Sequence, residues 1–316
     1  MQTAISSRIP RWVRAIFVAN LVAQSAIIVT GAVVRLTGSG LGCPTWPECV
    51  QGSYTPTARQ EEVFHKYIEF GNRLLTFVLV IVAIAVLVAM FINVRSRRRA
   101  GIAQRPAIIV LSVIPFVGTA VQAVLGGVTV LTGLHPLIVS AHFLLSMVLV
   151  TAAVALVARS GDPGDQPVTW LAPTPVRFLT WLMVSVAALV VVLGVITTGS
   201  GPHSGDAQSE ARFSFDPQTV AVLHADTVFL FIGLLIGLLV SLMLFSSTGS
   251  MRKRTILLIG VTIAQGGIGY VQYFTGLPSA LVAIHVAGAV LTWIAALFIP
   301  FSMRVRGVAS SQMNPV

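Results

Sequence analysis

The chain has 316 residues, of which 55% are apolar and only 9% charged. Soluble domains carry about 25% charged residues, so an ordinary water-soluble fold is excluded. The net charge of +10 could suit nucleic acid, but the basic residues cluster at the ends of apolar runs, where membrane topology and anionic headgroups account for them. Lipid is therefore the expected partner, and nucleic acid is not.

A helix needs about 20 apolar residues to cross a hydrocarbon core. Such runs fall at 13–34, 66–92, 107–129, 137–158, 178–199, 218–245, 255–275 and 280–302, predicting an all-α integral membrane protein of eight spans. The first run follows Arg8, Arg11 and Arg14 and lacks a small-residue cleavage site, so it reads as a retained anchor. Basic residues stay on the cytoplasmic side of short loops. One side collects these three with Arg95, Arg97, Arg98, Arg99, Arg105, Arg159, Arg177, Arg252, Lys253, Arg254, Arg304 and Arg306, while the other has Arg35, Arg59, Lys66, Arg73 and Arg212. Both termini are thus expected in the cytoplasm, with the chain in the cell membrane.

The loop after the first run reads Gly40-Leu41-Gly42-Cys43-Pro44-Thr45-Trp46-Pro47-Glu48-Cys49 and holds both cysteines of the protein. Two cysteines in one short loop on the oxidising side favour a disulfide, as a structural staple or a redox-active pair. Zinc is not expected, because no histidine stands at ligand spacing. The second run opens with His65, Glu69, Asn72 and Arg73. Of the ten acids only Glu69 and Asp226 lie within spans, and acids in lipid are costly and usually functional. Glu69, Asn72 and Arg73 share a helix face; Glu69 is either a chemical group or the partner of Arg73.

Sliding the chain on itself reveals a repeat. Gln122, Thr132-Gly133-Leu134 and His142 recur 143 residues later as Gln265, Thr275-Gly276-Leu277 and His285. A weaker echo links Thr37-Gly38-Ser39-Gly40 to Thr198-Gly199-Ser200-Gly201. Two four-helix bundles follow, residues 1–160 and 161–316, inserted with one orientation as a parallel repeat. His142, His224 and His285 stand at matching depths on even-numbered helices, which suits axial ligation of haem within a bundle. His135 and His203 lie in loops beside proline and glycine and are expected to be solvated. Placing Asn72 opposite His224 matches Glu69 with Ala221, so only the first half offers an acid.

Over essentially its whole length the chain resembles the haem A synthases. The resemblance rests on the Gly-Ser-Gly-Leu-Gly-Cys loop with Cys49, on Glu69-x-x-x-Arg73, on His142 and His285 in the repeats, and on His224. It implies an oxidoreductase that converts the C8 methyl of haem O to a formyl group, yielding haem A for cytochrome oxidase. It further implies resident haem b ligated by His224 and His285, substrate haem O ligated by His142, and Glu69 as the essential acid. The family commonly has Glu-x-x-His-Arg where this chain has Asn72. Either the helix is irregular and His65 serves as a ligand, or the first-half iron has one protein ligand. Arg35, Lys66 and Arg73 are candidates for propionate contacts. Haem O synthase and a second copy of the chain are the expected protein partners. A di-haem cytochrome b or a secondary transporter would share the histidines or the repeat, but the first gives no reason for an acid in one half alone, and the second calls for broken helices.

Overall fold

The computed structural model describes residues 8–57, 64–203, 205–206, 211–245 and 249–307. Arg59, counted above among the outer cations, lies outside them. Among the described residues eight helices are long and apolar enough to cross a membrane. They are α1 (Arg11–Leu36), α2 (His65–Arg99), α3 (Pro106–Leu131), α4 (Pro136–Ser160), α5 (Thr174–Ser200), α6 (Pro217–Leu244), α7 (Gly249–Phe274) and α8 (Ser279–Ser302). The fold is all-α apart from a two-residue antiparallel pairing of β1 (Thr169–Trp170) with β2 (Arg304–Val305).

Helix starts follow local chemistry. Proline stands in the first turn of α3, α4, α5 and α6, where its missing N–H costs no intrahelical bond. Asp216 caps α6 by accepting from the Thr219 N–H at 2.8 Å. The α2 helix outlasts its predicted end at 92 because Arg97, Arg98 and Arg99 form its last turn, where cations complement the helix dipole. Helix α7 also starts before 255, with Arg252, Lys253 and Arg254 already helical although cations near a helix start oppose its dipole. Hydropathy sees only the lipid-length middle of such helices. Large apolar side chains such as Phe77, Phe91, Phe178, Phe229 and Phe274 are exposed along the spans, as a lipid-facing surface requires.

Helices α1–α4 pack as one group, each touching its chain neighbours and α1 touching α4; α5–α8 repeat that pattern. The groups meet through α1 with α8, α4 with α5, and α4 with α8. Exchanging the halves maps this set of contacts onto itself, as expected for a twofold axis along the bundle. Within the seam Trp293 Nε1 donates to Thr151 Oγ1 at 3.0 Å. The repeated turns coincide in backbone detail: Gly133 and Leu134, like Gly276 and Leu277, all have φ between 59° and 77°. In each turn the leucine N–H closes onto the carbonyl five residues back, Thr129 or Gln272.

At the basic face a polar knot ties the ends together. Arg105, 1% exposed, donates to Asp165 at 2.9 Å and to the carbonyls of Arg159, Asp162 and Gly164. Arg159 pairs with Asp162 and Asp165, and Arg304 with Asp162. Burial alone would raise the Asp165 carboxyl, but hydrogen bonds from Arg159 and Arg105 hold it below its ordinary value. A depressed carboxyl stabilises the fold above the unfolded value and loses that contribution as pH falls through the folded one. Asp165→Asn should therefore cost about 1.5–3 kcal/mol at neutral pH. The gap from the original protein should narrow in melting experiments taken below the ordinary carboxyl value of 3.8. An equal melting midpoint at pH 7 would refute the assignment.

Candidate functional site

The face opposite the basic one carries the chemistry. His224 lies seven residues after Pro217, which opens α6, while His142 and His285 lie six after Pro136 and Ser279, which open α4 and α8. All three imidazoles thus sit about two helical turns below the loops. Each packs its Cε1 edge on a glycine of the preceding helix. A Cβ added at Gly126 would stand 3.3 Å from His142, one at Gly194 3.2 Å from His224, and one at Gly269 3.4 Å from His285. Glycine lets the ring approach the neighbouring backbone without the shift of a few tenths of an ångström that a Cβ at Gly126 or Gly194 would ask of it. The Nδ1 atom of each ring is buried without a hydrogen-bond partner. The Val190 and Gln265 carbonyls act on His224 and His285 but complete no bond of good geometry. His224 and His285 are also near enough for the charge of one to be felt at the other.

Three orphaned imidazole nitrogens fit a ligand better than a closed core. Buried polar atoms are ordinarily paired, and a metal-bound histidine presents one ring nitrogen to the iron while the other is oriented by its surroundings. Gln122 adds to the positioning of His142, donating to its carbonyl at 3.0 Å and to Ser146 Oγ at 2.7 Å.

The acid lies one turn nearer the loops, in the first half. Glu69 is 5% exposed and accepts from the Cys43 N–H at 2.6 Å and from Arg73 at 2.6 and 3.0 Å. Arg73 in turn donates to the carbonyls of Cys43, Thr45 and Glu48. The two residues clamp the cysteine loop, in which Cys43 and Cys49 are bridged. Gly42 lies against the backbone of His65 and Lys66, where a Cβ would meet it at 2.7 Å, and the Trp46 ring covers Gly127, beside the seat of His142. The loop is a lid on the first half.

Other residues take places the sequence left open. His65 is the first residue of a regular α2 and bonds Ser39 Oγ at 2.9 Å; the irregularity that would have lowered it to the level of Asn72 does not occur. Arg35 spans the seam between halves, donating to the carbonyls of His203 and Thr198, and Lys66 donates to the Thr57 carbonyl. His135 is exposed as expected. His203 is not simply solvated: it is half-buried and its Nε2 donates at 2.9 Å to the carbonyl of Leu277, in the turn before α8. Asp226, the other acid within a span, is exposed, lying about 200° around α6 from His224. Sequence reasoning missed the glycine seats, although Gly126 and Gly269 share the 143-residue offset. Among the described residues no group of three or more His, Cys, Asp or Glu forms a conventional metal cluster.

Eight spans, three buried imidazole seats and one lidded acid define a polytopic membrane protein with its polar site near one face. The chain belongs to the COX15-CtaA family of cytochrome oxidase assembly proteins, whose model matches residues 14–297. It is 26% identical to the haem A synthase of Shewanella oneidensis, over 86% of this chain and 91% of that protein. It is also 32% identical to the haem A synthase of Geobacillus thermodenitrificans over 37% of this chain and 32% of that one. With the enzyme of the same name from Lysinibacillus sphaericus it shares 33% identity over 46% of this chain and 44% of the other.

The clamp on the lid is open to test. Lysine in place of Arg73 keeps the charge but loses the planar fork that reaches Glu69 and three carbonyls together. With bonds to charged groups worth about 1.5–3 kcal/mol, Arg73→Lys should speed reduction and alkylation of Cys43 by roughly tenfold or more. A rate within twofold of the original would show that the clamp does not hold the lid.

Proposed function

We propose that this chain acts as a haem A synthase, oxidising the C8 methyl of haem O to a formyl group in its first half while its second half holds haem b. The observation that carries the reading is the asymmetry between otherwise matching halves: both present histidines on glycine seats, and only the first adds a buried acid beneath a disulfide-bridged lid. In this reading residues 1–160 form the substrate half and 161–316 the cofactor half. Both termini lie in the cytoplasm and the lid on the outer side, as the distribution of arginine argues. A cytochrome that only relays electrons leaves Glu69 and its lid without a task.

The overall change, methyl plus water to aldehyde, releases four protons and four electrons and so requires an external electron acceptor. Bound haem b supplies one-electron redox chemistry beside the substrate half. The protein supplies position and charge. His224 and His285 would hold the cofactor, their rings packed on Gly194 and Gly269. His142 holds the substrate iron, braced by Gly126 and by the bond from Gln122 to its carbonyl. Glu69, held at both oxygens, provides a fixed acceptor and negative charge where the methyl carbon becomes electron-poor, and it takes protons as they leave. Arg73 keeps Glu69 in place and the lid closed. Arg35 ties the loops of the two halves, so we assign Arg35 and Arg73 to holding the loops rather than to propionates. The lid limits water to what the reaction consumes. Haem O synthase remains the natural supplier of substrate.

Two outcomes are expected. Glu69→Gln keeps size but removes the charge and one of the two acceptor oxygens, so haem A formed per mole of bound haem b should drop by a factor of about 10²–10⁴ while haem b content holds. Activity within twofold of the original would return Glu69 to a purely structural role. His224→Ala or His285→Ala should abolish or shift the low-spin haem b spectrum, and an unchanged spectrum in both variants would remove the second-half assignment.

A further inference from the structure

The first half repeats the seating arrangement of the second, with one element exchanged. In the second half each helix running toward the lid face offers a glycine, Gly194 on α5 and Gly269 on α7, and each returning helix offers an imidazole. In the first half Gly126 on α3 seats His142. The partner of Gly126 on α1 can be found from a contact between the same two helices. Gln24 Nε2 on α1 donates to Thr119 Oγ1 on α3 at 3.3 Å, with both side chains buried. Gly31 lies seven residues beyond Gln24, and Gly126 seven beyond Thr119. Seven residues are nearly two full turns, so both glycines stay on the faces that carry this bond and rise to one level. The second half has the same spacing: Gly194 and Gly269 lie seven residues beyond the buried Ala187 and Thr262.

Gly31 is therefore the fourth seat, but a Cβ added there would meet nothing within 4 Å. The residue in the register of His224, seven positions into its helix, is Asn72. Its shorter side chain is drawn sideways: Thr30, adjacent to Gly31, places its hydroxyl 2.8 Å from Asn72 Oδ1 and 3.1 Å from the Ile27 carbonyl. A carboxamide is a poor iron ligand beside an imidazole. His65, the remaining imidazole of α2, is held at the rim by Ser39.

We propose that the haem of the first half is held by His142 alone, and that its opposite axial position, framed by Gly31, Thr30 and Asn72, binds a diatomic or water-sized ligand. With Asn72 Oδ1 facing the Thr30 hydroxyl, the Asn72 amide N–H groups are left to donate to that ligand. The inference rests on the reading that His142 holds the first-half haem, and it makes the substrate iron the reactive, five-coordinate one while the haem between His224 and His285 is closed to exogenous ligands.

The test uses the full-length protein in detergent with both halves loaded, and carbon monoxide on the reduced protein as the probe. About half of the bound haem should form the carbon monoxide adduct, and the other half should remain a low-spin, unreactive species. Asn72→His should lower the reactive fraction at least tenfold and convert it to the low-spin form. Gly31→Leu should weaken carbon monoxide binding at least tenfold by bulk without producing that form, which separates occlusion from ligation and covers the event that the histidine variant fails to fold. A two-haem protein inert to carbon monoxide would overturn the proposal, as would an Asn72→His variant that folds and still binds carbon monoxide undiminished. His142→Ala separates the two levels: it should remove one haem per chain. If the haem content stays at two, the first-half assignment falls and this proposal with it; if one haem is lost but the original protein ignores carbon monoxide, only the open position is refuted.

Discussion

The close approach of an imidazole to a bare stretch of helix backbone is the contact on which this molecule turns. At Gly126, Gly194 and Gly269 the ring edge lies close enough that an added Cβ would press on it or just touch it, which seats the ring by packing and leaves its nitrogens to whatever the bundle encloses. In hydrocarbon there is no water to satisfy an orphaned nitrogen, so such a ring is costly unless something binds it. The packing of the eight helices, two groups related by an exchange of halves, brings these seats to one level. The central helices α4 and α8, in contact with each other, each contribute one imidazole.

Around that shared frame the halves diverge by few residues. Ala221 stands where the first half has Glu69, and His224 stands where it has Asn72. The cysteine lid belongs to the first half alone, since the second has no cysteine. It is joined to the acid through the Cys43 N–H and the Arg73 fork, so the order of the loop and the position of the carboxylate are one property. On the function proposed above, a duplicated scaffold would hold one porphyrin as a permanent fixture and treat its twin as a reactant. The four-helix geometry is kept, and only the groups near the lid change.

Much of this was legible in the amino-acid sequence because the relevant signals are local. Lipid-length apolar runs, the 143-residue offset and the depth of His142, His224 and His285 each require only counting along the chain. The cysteine pair falls within a single short loop. Other features depend on what comes to face what. Arg105 meets Asp165 and Arg304 meets Asp162 across long sequence separations, and no pattern in either segment announces the partner. Glycine is common here, and a glycine that seats a ring looks like one that faces lipid until the opposing helix is known; Gly31 and Gly126 became a pair only through Gln24 and Thr119. His203 was misjudged for the same reason, because its acceptor is a backbone carbonyl at Leu277, and carbonyls leave no mark in sequence.

The lid has a consequence for traffic. With Trp46 on Gly127, Gly42 against the start of α2 and Arg73 gripping three loop carbonyls, the first half is roofed against the aqueous phase. Its sides are not equivalent. Among the described residues, α1 and α4 are backed by α8 and α5, whereas α2 and α3 make no comparable contact with the other half. On the function proposed above, a greasy porphyrin that travels in the bilayer would reach the first half through its lipid-facing flank rather than past the lid, with the membrane as its reservoir.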